Sequence, residues 1–208
     1  MQRLRILFVK GDQARFLSHL DLMATFEYAA RRASLPVELS EGFNPRPRIS
    51  AAAPLALGYL GEEEVLEIVL REPLPLAEVR ARLESATPPG ISILAAEEMP
   101  PGRKSAASRL HSATYRVDLP EPIPDLADRI ERLLTSARLE VEEPHRDRVR
   151  RRDLRPLLLS LTALDATTLR LAVRLDGEGT IRPEQLLTLM SIPAGGARIV
   201  REKIALRD

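Results

Sequence analysis

Residues 2–39 read QRLRILFVKGDQARFLSHLDLMATFEYAARRASLPVEL, and the change of hydrophobic period inside this stretch decides the fold. Between Arg3 and Val9, Leu4, Ile6 and Phe8 alternate with Arg3 and Arg5, the period-two pattern of a strand with one buried face. After the Gly11-Asp12 turn the period lengthens. Leu22, Phe26, Ala29 and Ala33 recur at intervals of four, three and four, which places them on one side of a helix. Ser18 is positioned to cap that helix, with Asp21 three residues later and Leu17 and Leu22 at the staple positions around the cap. The helix must stop near Ser34, because Pro36 disfavours helical geometry in the residue before it.

Downstream of this strand and helix, Pro36 to Leu39 reads as a short strand, and EGFNPRPRIS follows as a loop. Gly42 with two prolines forbids regular structure over residues 42–47. Ile49 to Leu57 and Glu63 to Leu70 are expected strands. Pro73 and Pro75 open a second helix with Leu76, Val79 and Leu83 on one face, and Ile91 to Ala95 is a last strand. The order is β-α-β-β-α-β. Pro100 to Ser105 has the composition of an interdomain linker, which sets the boundary near Lys104. Beyond it, strands are expected over Ala113 to Leu119, Leu139 to Glu143, Leu157 to Leu161, Thr168 to Leu175 and Ala197 to Leu206. Asp125 is placed to cap one helix, and Pro183 opens another that runs through Met190. Element order therefore predicts an α+β protein of two tandem ferredoxin-like (split β-α-β) domains, residues 1–104 and 105–208. Each has an antiparallel sheet with helices on one face and the other face free to bind.

Composition narrows the chemistry. The chain has 208 residues, 44% hydrophobic and 29% charged, with a net charge of +1, a globular profile. It contains no Cys, so thiolate zinc sites, cysteine nucleophiles, disulfides and iron–sulfur ligation are outside its own means. No HxH, HExxH or acidic metal loop is present, and the expected metal and cofactor content is none. No apolar run approaches the ~20 residues that span a bilayer, and the opening residues read as a strand; no membrane association and a cytoplasmic location are expected. Walker, dinucleotide and GxSxG patterns are missing.

Two basic groups stand out. In EGFNPRPRIS, Pro45 and Pro47 stiffen a loop that carries Asn44, Arg46 and Arg48, so two forked guanidinium groups two residues apart can meet phosphates or a carboxylate. Equally, these are solvated arginines on a rigid loop, and Asn44 shapes the turn. In HRDRVRRRDLRP, residues 145–156, six Arg outweigh two Asp. An extended conformation would project Arg150, Arg151, Arg152 and Arg155 along a polyanion. Set against that is a charged hairpin whose arginines pair with Asp and Glu. Aromatic support for base stacking is thin, with four Phe, three Tyr and no Trp, several at positions the core should claim. His19, in the first turn of the helix, is the one candidate catalytic base, though a lone His beside a capping Ser is commonly structural.

With RFLSHLDLM, EGFNPRPRIS, the stretch from Leu55 to Gly58 and RRRDLRPLLLSL in view, the chain resembles the radical S-adenosylmethionine-associated domain of unknown function. That resemblance implies an accessory, non-catalytic role beside a cobalamin-binding radical S-adenosylmethionine protein, which would carry the cluster and cobalamin chemistry. It supplies no catalytic residues. The architecture is also similar to that of CRISPR repeat-cleaving endoribonucleases, where His19 would correspond to a histidine near the first helix, but SIPAGGARIV does not match their glycine-rich loop. The expected function is RNA binding or substrate presentation through the arginine surfaces. The alternatives are a metal-independent endoribonuclease and a pure protein-interaction module.

Overall fold

A computed structural model describes residues 1–145, 148–177 and 179–207, in which the chain forms two compact units. Unit 1 spans Met1–Leu110 and takes back the stretch from Leu206; unit 2 spans His111–Ala205. The division thus falls six residues beyond the boundary expected near Lys104, and the chain returns to its first unit from Leu206.

In unit 1 the alternation of Leu4, Ile6 and Phe8 forms β1 (Gln2–Lys10), and the longer period forms α1 (His19–Arg32). The expected cap is present: the Ser18 hydroxyl accepts from the Asp21 amide, and the Asp21 carboxylate accepts from the Ser18 amide. Next come β2 (Ile49–Ala51), β3 (Leu60–Leu70), α2 (Leu76–Ala86) and β4 (Ile91–Glu98). The sheet order is β4-β1-β3, with β2 antiparallel on the outer edge of β3. Leu4, Ile6, Phe8, Leu66 and Ile68 face Leu22, Phe26, Val79 and Leu83 of the helices in one cluster. Phe8 and Phe26 meet edge to face at 4.7 Å between ring centroids.

Three expectations for this unit are corrected. Residues 36–39 form only isolated bridges, Val37 to Leu70 and Leu39 to Pro47, because Pro36 and Pro47 offer no amide hydrogen to a ladder. The strand expected over Ile49 to Leu57 ends at Ala51, short of Pro54. The sheet face opposite the helices is not free. Val65 and Glu67 are buried there, and Val65 packs with Ala52 and Ala106. Glu67 bridges Arg3, Nη2 to Oε2 2.7 Å, and the Ala106 amide, N to Oε1 2.8 Å, so the segment after the presumed linker lies pinned on the sheet.

Unit 2 carries β5 (Leu110–Asp118), α3 (Leu126–Thr135), β6 (Glu140–His145), β7 (Arg148–Asp153), β8 (Leu158–Ala163), β9 (Thr168–Arg174), α4 (Pro183–Leu189) and β10 (Arg198–Leu206). The sheet order is β10-β5-β9-β8, with the β5–β9 and β8–β9 pairs antiparallel. Tyr115, Val117, Ile130, Leu133, Leu169 and Leu171 are among the buried side chains. The strand expected at Leu139 to Glu143 does not enter this sheet. It is β6, which pairs with β7 as a separate two-stranded sheet. Asp125 does not cap α3 with its side chain; both its oxygens accept instead from Arg129 Nε at 3.0 Å.

Candidate ligand-binding loop

The loop over residues 40–47 is closed at its base by backbone geometry. The Ser40 amide donates to the Arg46 carbonyl at 2.8 Å, and the Arg46 amide donates to the Ser40 hydroxyl at 3.0 Å. One step further down, the Arg48 amide donates to the Glu38 carbonyl at 2.8 Å, and the Arg48 carbonyl accepts from the Val69 amide of β3 at 3.0 Å. Gly42, at φ +114°, makes the turn in a conformation a side chain would strain. Between these points Pro45 and Pro47 hold φ near the polyproline value, so the loop stands as a braced finger. Asn44, Arg46 and Arg48 are exposed on it, and the Phe43 ring at the tip is wholly exposed. Neither Arg46 nor Arg48 has an ion pair or side-chain hydrogen bond among the described residues. Arg48 also lines a cavity of about 370 Å³ with Arg3, Ser50, Glu67 and Ser105. Arg3 is already engaged there by Glu67 and by the Arg103 carbonyl, which leaves Arg48 as the uncommitted cation.

The arginine run of residues 145–156 divides. Arg146 and Asp147 lie outside the described residues, as does Glu178 of the Gly177–Gly179 turn. β7 is extended, but its register sets Glu142 opposite Arg151 and Glu140 opposite Asp153. Arg151 Nε meets Glu142 Oε1 at 3.1 Å. Arg152 is half-buried against Gly179, where a Cβ would stand 2.1 Å from its guanidinium. Arg155 donates through Nη2 to the Leu134 carbonyl at 3.3 Å. Asp153 takes the Leu139 and Arg155 amides, and these two hydrogen bonds hold its carboxyl below the ordinary aspartate range. Arg150 alone of the four candidates is exposed with no ion pair or side-chain hydrogen bond among the described residues. The run is therefore a charge-matched hairpin more than a continuous cationic track.

His19 sits at the start of α1 as expected. Its Nδ1 is buried with no hydrogen-bond partner, and no acid or hydroxyl is hydrogen-bonded to the ring among the described residues. No group of three or more His, Asp or Glu able to hold a metal ion occurs among the described residues, and no helix there is long and apolar enough to cross a membrane.

Sequence reasoning missed the exposed aromatics. Phe43, Phe16 and Tyr28 are all exposed, while Phe8 and Phe26 fill the core. The signal for Phe43 was its place between Gly42 and Asn44, where no regular element could bury it.

These features define an α+β protein with an exposed, proline-braced loop that carries two arginines. Residues 3–183 match the family described as an uncharacterized protein conserved in bacteria, DUF2344, and the chain belongs to that family. No curated protein matches it. Among solved structures it is similar to a chain in the crystal structure of a Cbf5-Nop10-Gar1 complex, at 11% identity and a TM-score of 0.46, over 95% of this chain and 48% of that one. It thus spans about half the length of that neighbour. It is also similar to an unknown protein from Galdieria sulphuraria, at 14% identity and a TM-score of 0.29, over 100% and 99% of the two chains. Likenesses at these scores do not bear on function.

Proposed function

We propose that this protein is a non-catalytic RNA-binding accessory protein that engages single-stranded bases and phosphates through the loop of residues 40–48. One observation carries the reading: a wholly exposed Phe43 shares a proline-braced loop with two guanidinium groups, Arg46 and Arg48, that have no acidic partner among the described residues. An aromatic face stacks a base at no cost in sequence preference, and adjacent arginines neutralise the backbone on either side of it. The bracing lowers the ordering cost of binding, since the loop is already held in one conformation. Asn44 and Arg150 supply further polar contacts in this reading; Arg151 pairs with Glu142 across the hairpin, and Arg155 donates to the Leu134 carbonyl.

The family resemblance read from the sequence supplies the partner, a cobalamin-binding radical S-adenosylmethionine protein, for which this chain would hold the RNA. Supporting the tandem ferredoxin-like reading is strand order. In each unit the sheet runs fourth, first, third, second in chain order once the β6–β7 hairpin is set aside.

The test is fluorescence anisotropy with a labelled RNA hairpin that presents a single-stranded loop. Arg46→Ala with Arg48→Ala should weaken binding about tenfold or more and reduce the slope of log K against log salt by roughly 1–2. Phe43→Ala should cost about 1–3 kcal/mol with the slope unchanged. Absence of binding at low salt sinks the proposal.

A second reading rests on Phe16, Leu20 and Leu57, which are exposed in neighbouring segments, the Arg15 guanidinium donating to the Gly58 carbonyl at 2.9 Å. Here the chain docks the radical enzyme and touches no nucleic acid. Binding of that enzyme that is lost in Leu20→Asp, with no RNA affinity in the wild-type chain, would favour it.

A further inference from the structure

A cavity of about 470 Å³ opens in unit 2 between the second half of α3, the segment into β6 and the end of α4, within the size range of small-ligand sites. Three guanidinium groups line it, from Arg129, Arg132 and Arg138. They are not equivalent. Arg129 is locked: Nε is held by both oxygens of Asp125, and Nη1 donates to the Met190 and Ser191 carbonyls at 2.9 and 3.0 Å. The Arg129 hydrogen bond, with the Arg132 charge adding to it, holds the Asp125 carboxyl below the ordinary aspartate range.

Arg132 and Arg138 are poised instead. Their side chains are 68% and 75% exposed, and each makes a long, solvent-exposed ion pair, Arg132 with Asp125 at 3.7 Å and Arg138 with Glu140 at 3.6 Å, both carboxylates lining the cavity as well. Under these two cations the cavity is lined by apolar Leu133, Leu139 and Met190, all buried. The α4 end of the site is also conformationally set. Ser191 lies at φ +57°, a left-handed conformation that strains a non-glycine residue, and its carbonyl is one of the two that anchor Arg129.

We propose that this cavity binds a small amphipathic anion, its phosphate or carboxylate held by Arg132 and Arg138 and its apolar body against Leu133, Leu139 and Met190. Forked guanidinium donors suit either head group, and Arg129, anchored by Asp125 and by the Met190 and Ser191 carbonyls, fixes the wall beside them. The site belongs to unit 2 and is independent of the loop of residues 40–48.

Binding is measured by amide chemical shifts of the full chain titrated with phenyl phosphate and, separately, phenylacetate, with benzyl alcohol and inorganic phosphate as controls. At least one of the two aromatic anions saturates, moving the amides of Leu133, Leu139 and Ser191, and binds tenfold or more tightly than either control. The tighter of the two identifies the head group. Arg132→Ala with Arg138→Ala, both exposed positions, weakens it at least tenfold, whereas Arg46→Ala with Arg48→Ala leaves it unchanged. No saturable shift with either anion, shifts confined to other residues, equal binding of inorganic phosphate, or indifference to the Arg132/Arg138 double variant overturns the assignment.

Discussion

Lys10 closes the buried face of β1, in register with Leu4, Ile6 and Phe8, and is 1% exposed. Its ammonium donates to the carbonyls of Arg15 at 3.1 Å and Leu17 at 2.9 Å, where the chain turns into α1. These carbonyls help replace the water that a buried ammonium gives up. Lys10→Met keeps the bulk and removes the donor, so it should destabilise the fold by about 2 kcal/mol or more in urea denaturation; an unchanged midpoint would mean that water takes over both carbonyls. The alternation of β1 was legible as a pattern, yet it could not say that its last inward position is a lysine with a job. Gly90 shows the same limit. It sits at φ +90°, and a Cβ there would stand 2.6 Å from the Ala14 backbone nitrogen, so Gly90→Ala should cost about 2–3 kcal/mol. Ser34, at φ +52° just past α1, predicts the opposite sign: Ser34→Gly should stabilise by roughly 0.5–1 kcal/mol.

For single elements the sequence was most informative where the controlling interactions are local. The α1 cap needs only Ser18 and Asp21, three residues apart, and was read directly. Ser18→Ala should cost about 1 kcal/mol. The cap also gives a pH dependence. Hydrogen bonds from the Ser18 hydroxyl and amide hold the Asp21 carboxyl below the ordinary aspartate range. A carboxyl depressed by folding contributes fully above its unfolded pKa, about 4, and the contribution is lost as pH falls through the lower folded value. Asp125, Asp153 and Asp165 are shifted the same way, by Arg129, by the Leu139 and Arg155 amides, and by Thr167. The thermal midpoint should therefore hold near neutrality and drop steadily below about pH 4. Asp21→Asn should lower the plateau and make the acid limb shallower. By contrast, the β6–β7 hairpin was misplaced because alternation over residues 139–143 identifies a strand without naming its partner. The glutamate that answers Arg151 comes from the facing strand, which a count along the arginine run omits.

Across the molecule, the α+β class was legible, because it follows from period changes and from the prolines and glycines that punctuate them. What covers the unit 1 sheet was not, since Glu67 meets Ala106 from 39 residues away. Removing that carboxylate leaves Arg3 without its ion pair and the Ala106 amide without an acceptor. Glu67→Ala should thus cost about 3–5 kcal/mol and speed hydrogen exchange at Ala106. The loop of residues 40–47 was legible through its prolines, whereas Phe43 at its tip drew no notice, because a lone aromatic in a loop carries no periodicity to interpret.

The stretch that returns to unit 1 is stitched to its exit: the Arg207 amide donates to the Arg109 carbonyl at 2.7 Å, and Arg109 Nε donates to the Arg207 carbonyl at 2.8 Å. During synthesis, then, the earliest-made unit must wait for residues 111–207 to emerge before its seam can close. A nascent chain stalled within unit 2 would lack the Arg207 backbone groups that meet the Arg109 carbonyl and Nε.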